Sequence, residues 1–297
     1  MSRHGDPTRR QQAVAAWVLA LPFMALFLVF TAGPVLASLG MSFTDLRSVD
    51  VRNPLAVQFI GFDNYGKLLA DPLFRKVTLN TLLYLVLGVP LTMGVALAAA
   101  VVLNRVTRLK GFFRVAYYLP VVTSIVAVSV VWKFLLRDEG GLFNTLLGLV
   151  GIDGPGWLDS TSLALPTLVV MAVWRNFGTL MVIFLAGLQT VPREVLEAAE
   201  TDGASGWGRF RYITLPLLRP TMLFGAVITG IGYLQFFEEP FVMTNGGPLN
   251  STISMSMYTY KQFGFGNYGY AASMSYIIFV VIAIVAAIQF RLLRDNT

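Results

Sequence analysis

Five stretches of this chain carry no charged side chain, residues 11–44, 77–104, 115–132, 220–237 and 262–290, and a sixth, 160–189, is interrupted only by Arg175. The hydrocarbon core of a bilayer needs about 20 consecutive apolar residues per helix, penalises charge at its centre, and leaves no backbone polar group unpaired. Each run is therefore read as a membrane-spanning helix, over 14–38, 77–103, 113–136, 164–188, 217–237 and 271–291. The expected fold is all-α: a polytopic membrane protein with a tail at 1–13 and a single transmembrane domain at 14–297. Arg9 and Arg10 before the first run resemble a secretory signal, but the apolar part exceeds the 7–15 residues of a signal core and Gly33-Pro34 interrupts the cleavage region.

Composition narrows the chemistry. Only 13% of residues are charged, half of ordinary usage, and there is no cysteine. Disulfides, thiolate metal sites and cysteine nucleophiles are thereby excluded, and the one histidine, His4, sits in the polar tail. The expectation is a chain with no catalytic residue, no metal site and no cofactor of its own. Lys and Arg settle the orientation. With the amino terminus inside, 13 bases face 6 acids on the cytoplasmic side, a net +7, against a net −2 outside. Both termini are placed in the cytoplasm. The net charge of +6 then reflects topology, and nucleic acid is not an expected partner.

The longest cytoplasmic loop, 189–218, joins the fourth and fifth spans. Pro192 suits a first helical turn, Glu194 favours its positive end, and Gly203 stops it. Within that short helix Ala198 and Ala199 offer almost no side chain, so a partner can approach the backbone, with Glu197 and Glu200 at the rim. Trp207, Phe210 and Ile213 then recur at helical spacing beside Arg209 and Arg211, before Pro216 and Pro220 return the chain to the membrane. Periodicity alone equally fits an interfacial hairpin that only joins two spans.

The letters favour a partner. Glu197-Ala198-Ala199, three residues, Gly203, nine residues and Ile213-Thr214-Leu215-Pro216 match the EAA loop of ATP-binding-cassette importer permeases without a gap. Leu188-Gln189-Thr190-Val191-Pro192, Asp202-Gly203-Ala204, Gly61-Phe62-Asp63-Asn64-Tyr65, Asn80-Thr81-Leu82, Tyr118-Leu119-Pro120 and Thr244-Asn245-Gly246-Gly247-Pro248 extend the similarity to the carbohydrate-uptake branch. The chain resembles the first of the two permeases in such importers, of the maltose, glycerol-3-phosphate and multiple-sugar type. The maltose permease proper carries extra amino-terminal helices and a large outside domain that this sequence lacks, so the compact types are nearer.

The resemblance implies the type I importer permease fold, in the plasma membrane of a prokaryotic cell, moving sugars or oligosaccharides by alternating access. It implies a coupling helix docked in a cytoplasmic ATPase pair, through Glu197, Ala198, Ala199, Asp202, Gly203, Ile213, Leu215 and Pro216. ATP and Mg belong to that ATPase; the other partners are a second, different permease and an extracytoplasmic substrate-binding protein. Gly61, Gly66 and Lys67 imitate a phosphate loop, but Leu68 replaces its Ser or Thr and no strand precedes it.

Arg175 is the one ionisable residue deep in a span, within Trp174-Arg175-Asn176-Phe177-Gly178-Thr179. Two readings stand: a substrate contact, or a structural ion pair with Glu238, Glu239 or the partner permease. The resemblance adds Trp174, Asn176, Phe177 and Thr179, with Tyr233, Gln235, Phe236 and Phe237 on the fifth span, as candidates lining the sugar path. Glu238-Glu239, beside Pro240 at the outer boundary, are read as solvated or docking residues rather than a proton relay. Trp17 and Trp132 read as packing or interfacial anchors, and Asn245-Gly246-Gly247-Pro248 as a turn that meets the binding protein. Two alternatives remain: the same importer type for glycerol-3-phosphate or glycerophosphodiesters, which Arg175 suits, and an ion-coupled secondary carrier, which would want acids at the midplane.

Overall fold

The computed structural model describes residues 7–53, 57–105, 109–294. Arg3, Asp6, Arg108 and Asp295, which entered the charge reading, and the one histidine, His4, lie outside the described residues. The helices are α1 (Pro7–Phe27), α2 (Gly33–Ser42), α3 (Asp63–Ala70), α4 (Pro72–Arg105), α5 (Lys110–Val122), α6 (Ile125–Leu135), α7 (Leu142–Leu149), α8 (Ala164–Gln189), α9 (Arg193–Thr201), α10 (Gly206–Arg209), α11 (Leu215–Leu217), α12 (Arg219–Leu234), α13 (Glu238–Met243), α14 (Met255–Gly264) and α15 (Tyr268–Arg294). Among the described residues the only extended pairing is an isolated bridge between Thr44 and Phe59. Among the described residues five stretches are long and apolar enough to cross a membrane, and a sixth crossing results if α5 and α6 count as one span.

The chain divides into two compact units, 1–68 with 262–276, and 69–261 with 277–297. In the first, α1 and α2 are joined by a π-helical turn, Leu28–Ala32, in which Gly33 N–H donates to Leu28 O. Pro34 explains it: with no N–H and a ring that crowds the carbonyl four residues back, the helix widens by one residue ahead of it. The best apolar window of this Val14–Ser42 span has no buried residue, as suits a helix whose surroundings are lipid or another chain. The Gly61–Tyr65 motif seals its end. Asn64 Nδ2 donates to Ser42 O and Thr44 O at 3.0 and 2.8 Å, the Tyr65 hydroxyl lies 2.8 Å from Ser42 Oγ, and Phe43 packs edge-on to Phe62.

The second unit is built on α4 against α8, with α12 on α4, α5 on α8 and α13 on α6. At 1.5 Å per residue, α4 is about 51 Å long, more than the hydrocarbon core requires. Its buried seam, including Thr81, Tyr84, Gly88, Thr92, Ala96 and Ala100, repeats every three to four residues and is rich in small side chains. Lipid tails are as apolar as leucine, so close van der Waals contact between small residues holds such helices together. A Cβ at Gly178 of α8 would run into the backbone oxygen of Tyr117, which brings α5 directly against α8.

Two spans break where single helices were expected. The 113–136 helix is α5 and α6, bent by 94° at Thr123-Ser124, where Thr123 has an extended ψ of 144°. Pro120 cannot donate to the preceding turn, and Val121, Val122 and Thr123 are β-branched, so the helix is weakest there. The 217–237 helix ends at Leu234, and Gln235-Phe236-Phe237 are irregular before α13 begins. Pro240 is the cause: lacking an N–H for Phe236 O, it allows a helix to start just ahead of it but not to run through.

Candidate functional site

Arg175, Asn176 and Thr179 lie on one face of α8, at i, i+1 and i+4, and turn into a cavity of about 330 Å³. Ile228, Thr229, Gly232 and Tyr233 of α12 face them, followed by Gln235 and Phe236 from the irregular segment. Ile125, the first residue after the 94° bend, contributes from α6. The breaks in both spans thus turn side chains into the cavity that straight helices would carry elsewhere.

One wall is an aromatic stack. Tyr84 lies flat on Phe236, with centroids 3.8 Å apart and planes 4° from parallel, and edge-on to Tyr233 at 5.2 Å. The Tyr233 hydroxyl is 2.7 Å from Thr92 Oγ1, which donates to Gly88 O. Gly88 is required here: a Cβ would sit 2.7 Å from the Tyr233 ring. Each such ring pair contributes about 0.5–1.5 kcal/mol beyond its buried area, so this wall is rigid.

Among the described residues, the charges of this cavity do not pair with one another. Arg175 Nη1 donates to Asn176 Oδ1 at 3.2 Å, while its Nε is buried without a partner. Glu238 and Glu239, in the first turn of α13, line the same cavity, and Glu239 is only 5% exposed. Among the described residues the one base–carboxylate pair within 4.0 Å is Arg209–Glu200, so Arg175 makes no ion pair with Glu238 or Glu239. The solvated reading of Glu239 is likewise corrected: packing of α13 on α6 buries it. A buried polar atom without a partner costs about 1–3 kcal/mol, and a ligand hydroxyl or carbonyl entering the cavity supplies one.

The other path candidates lie outside this cavity. Trp174 packs on Trp132 at 5.5 Å, Phe177 on Tyr117 at 5.6 Å, and Phe237 on Phe241 and Tyr260 at 5.1 and 5.2 Å. None of the three lines this cavity, and Trp174 is itself 40% exposed. Ile125, Leu180, Ile228, Thr229 and Gly232 were not anticipated as lining residues, and the two glutamates only as ion-pair partners of Arg175; of the former, Thr229, a polar side chain one turn before Tyr233, left a signal.

The 189–218 loop forms a hairpin. α9 ends in a Schellman motif: Gly203 N–H donates to Glu200 O at 3.0 Å, Ala204 N–H to Ala199 O at 2.9 Å, and Gly203 has φ +80°. Pro192 is the residue before α9 rather than in its first turn. Glu197, Ala198, Asp202 and Gly203 are exposed, and Ala199 is half-buried. Glu200 is not free for a partner: it pairs with Arg209 and ties α9 to α10. Ser205 Oγ caps α10 by accepting from Gly208 N–H at 3.1 Å. A second π-helical turn, Phe210–Thr214, precedes Pro216 as the first precedes Pro34, and for the same reason. Ile213 and Leu215 are half-buried, Pro216 is exposed, and Leu218 anchors the base of the hairpin among Phe184, Leu185 and Leu188.

At the other end of the unit the Asn80-Thr81-Leu82 motif holds the segment that follows Thr244–Pro248. Asn80 Nδ2 donates to Asn250 O and Ile253 O at 2.9 and 3.0 Å, and Thr81 Oγ1 accepts from Met255 N–H at 3.1 Å. The loop containing Thr244–Pro248 is closed by Thr244 and Thr252, whose hydroxyl oxygens are 2.7 Å apart.

An all-helical chain with apolar spans, a polar cavity inside them and an exposed hairpin is a membrane permease. Residues 74–295 match the family described as binding-protein-dependent transport system inner membrane component, and the chain belongs to that family. It is 36% identical over 294 residues to the lactose transport system permease protein of Rhizobium radiobacter, covering 97% of each chain. It is 31% identical to the sulfoquinovosyl glycerol transport system permease protein of Agrobacterium fabrum, covering 86% of this chain and 83% of that one. A bacterial ABC transporter involved in the import of the acidic polysaccharide alginate has the same fold, with a TM-score of 0.81 at 24% identity over 98% of both chains. The protein is thus a multi-pass, non-catalytic permease component of a binding-protein-dependent ABC importer, which sets aside the secondary carrier.

Proposed function

We propose that this permease imports a sugar or oligosaccharide through the cavity between α8 and α12, by alternating access driven by a separate ATPase. The observation that carries the reading is the cavity itself: Arg175, Asn176, Thr179 and Gln235 supply hydrogen-bonding groups beside an aromatic wall, inside membrane-spanning helices. A pyranose ring has hydroxyls around its rim and C–H groups on its faces, and this lining complements both. Support also comes from relatives named for lactose and for trehalose and maltose, the latter from Thermococcus litoralis at 29% identity. A glycerophosphate is the second reading, favoured by Arg175.

In this account the hairpin is cytoplasmic, as the charge bias expects, with both termini on that side of a prokaryotic cell membrane. α9 docks in a cleft of one ATPase subunit, its exposed Ala198 allowing close approach and Glu197 meeting a base there. ATP and Mg bind the ATPase pair and this chain holds no cofactor. A second, different permease completes the path. A binding protein docks outside, as suits the alginate transporter structure, which is in complex with an alginate pentasaccharide-bound periplasmic protein.

The test is uptake of labelled saccharides into proteoliposomes holding the full importer. Asn176→Ala with Gln235→Ala is expected to raise the substrate concentration for half-maximal uptake at least ~10-fold, the loss of about two hydrogen bonds. Unchanged uptake in that double variant overturns the path.

A further inference from the structure

We infer that this cavity selects for uncharged saccharides, and that Glu238 and Glu239 are the residues that turn acidic ones away. The inference rests on the saccharide reading above and deepens it. Family membership leaves the question open, since the relatives are named for lactose, which is neutral, and for sulfoquinovosyl glycerol, which carries a sulfonate. The answer therefore lies in the side chains of the cavity.

Arg175 taken alone points to an anion. The structure places two carboxyl groups in the same cavity, from the first turn of α13, against this one guanidinium. One carboxylate suffices to cancel the arginine, and the second leaves no net positive charge for a ligand. The remaining polar lining, Asn176, Thr179, Thr229 and Gln235, is uncharged. Charges inside the span are weakly screened, so for a ligand carboxylate or phosphate the attraction of Arg175 is offset by the repulsion of the glutamates beside it, and the cost of stripping the anion of its water is left uncompensated. A neutral sugar meets no such penalty. Its hydroxyls both donate and accept, so they can bridge the guanidinium, whose Nε has no protein partner, and carboxyl oxygens that accept. The arginine and the glutamates then act as one hydrogen-bonding set for a polyol, with the absence of an internal ion pair leaving them available.

The experiment measures direct binding of matched ligand pairs to the purified importer complex without its binding protein, by saturation-transfer NMR. Each pair is a neutral disaccharide, lactose or maltose first, and the uronate in which one CH₂OH is replaced by carboxylate. The readout is the ratio of the two dissociation constants in one preparation, so a general loss of folded protein does not mimic the effect. Wild type is expected to favour the neutral member at least ~10-fold, equivalent to about 1.4 kcal/mol. Glu238→Gln with Glu239→Gln is expected to bring the ratio close to one, and Glu238→Gln alone, at the more exposed position, to move it partway. A wild type that binds the uronate as well as the neutral sugar, or a ratio unmoved by either variant, overturns the inference and leaves the saccharide reading standing. Binding of glycerol-3-phosphate with no disaccharide of either charge overturns the saccharide reading and the inference together.

Discussion

Tyr84 and Tyr233 are neighbours in one aromatic stack but differ in what their hydroxyls do. That of Tyr233 meets Thr92, whereas that of Tyr84 is buried without a partner. Tyr84→Phe is therefore expected to leave the melting temperature of the purified protein unchanged or higher, because an unpaired polar atom is removed. Tyr233→Phe is expected to lower it by the equivalent of about 1 kcal/mol, one buried hydrogen bond. The two variants differ from wild type by the same atom, so a thermal-shift comparison isolates the partner. Gly88→Ala tests the wall behind them: the added methyl meets the Tyr233 ring, which cannot retreat while bonded to Thr92. Saccharide uptake is expected to fall with the protein still in the membrane, and wild-type uptake would show that the wall is softer than its packing implies.

At the level of elements, the hairpin and the 244–254 loop are held by small numbers of directed bonds. Gly203 has open space around its Cα, so Gly203→Ala clashes with nothing and its cost is the positive φ, about 1–2 kcal/mol. The expected result is weaker coupling of ATP hydrolysis to substrate, without loss of the ATPase's own activity. Glu200→Ala removes an exposed ion pair worth at most about 1 kcal/mol, and a much smaller effect on coupling is expected than from Glu197→Lys. Asn80→Ala unpins Asn250 and Ile253 together, and faster protease cleavage of that loop in intact vesicles is the expected readout.

Across the whole molecule, the spans were legible because charge is excluded from lipid, and the hairpin because its helix stop, alanines and prolines are local signals. The breaks at Thr123-Ser124 and at 235–237 were not, since apolar runs look alike whether straight or bent. Nor does a row of aromatics reveal which way each one turns. Trp174 and Phe177 flank Arg175 and Asn176 in sequence, yet helix rotation sends the first pair into packing and the second into the cavity. The bonds from Asn80 to residues 170 and 173 positions away were not legible either, since nothing local in the sequence links them.

The account stands on the link between the cavity and the hairpin, and ATP hydrolysis by the reconstituted importer measures it most directly. Saccharide-loaded binding protein is expected to stimulate hydrolysis in wild type and to fail to do so in Glu197→Lys, while the isolated ATPase remains active. Equal, substrate-dependent stimulation in the two would contradict it, leaving the hairpin as no more than a connector between α8 and α12.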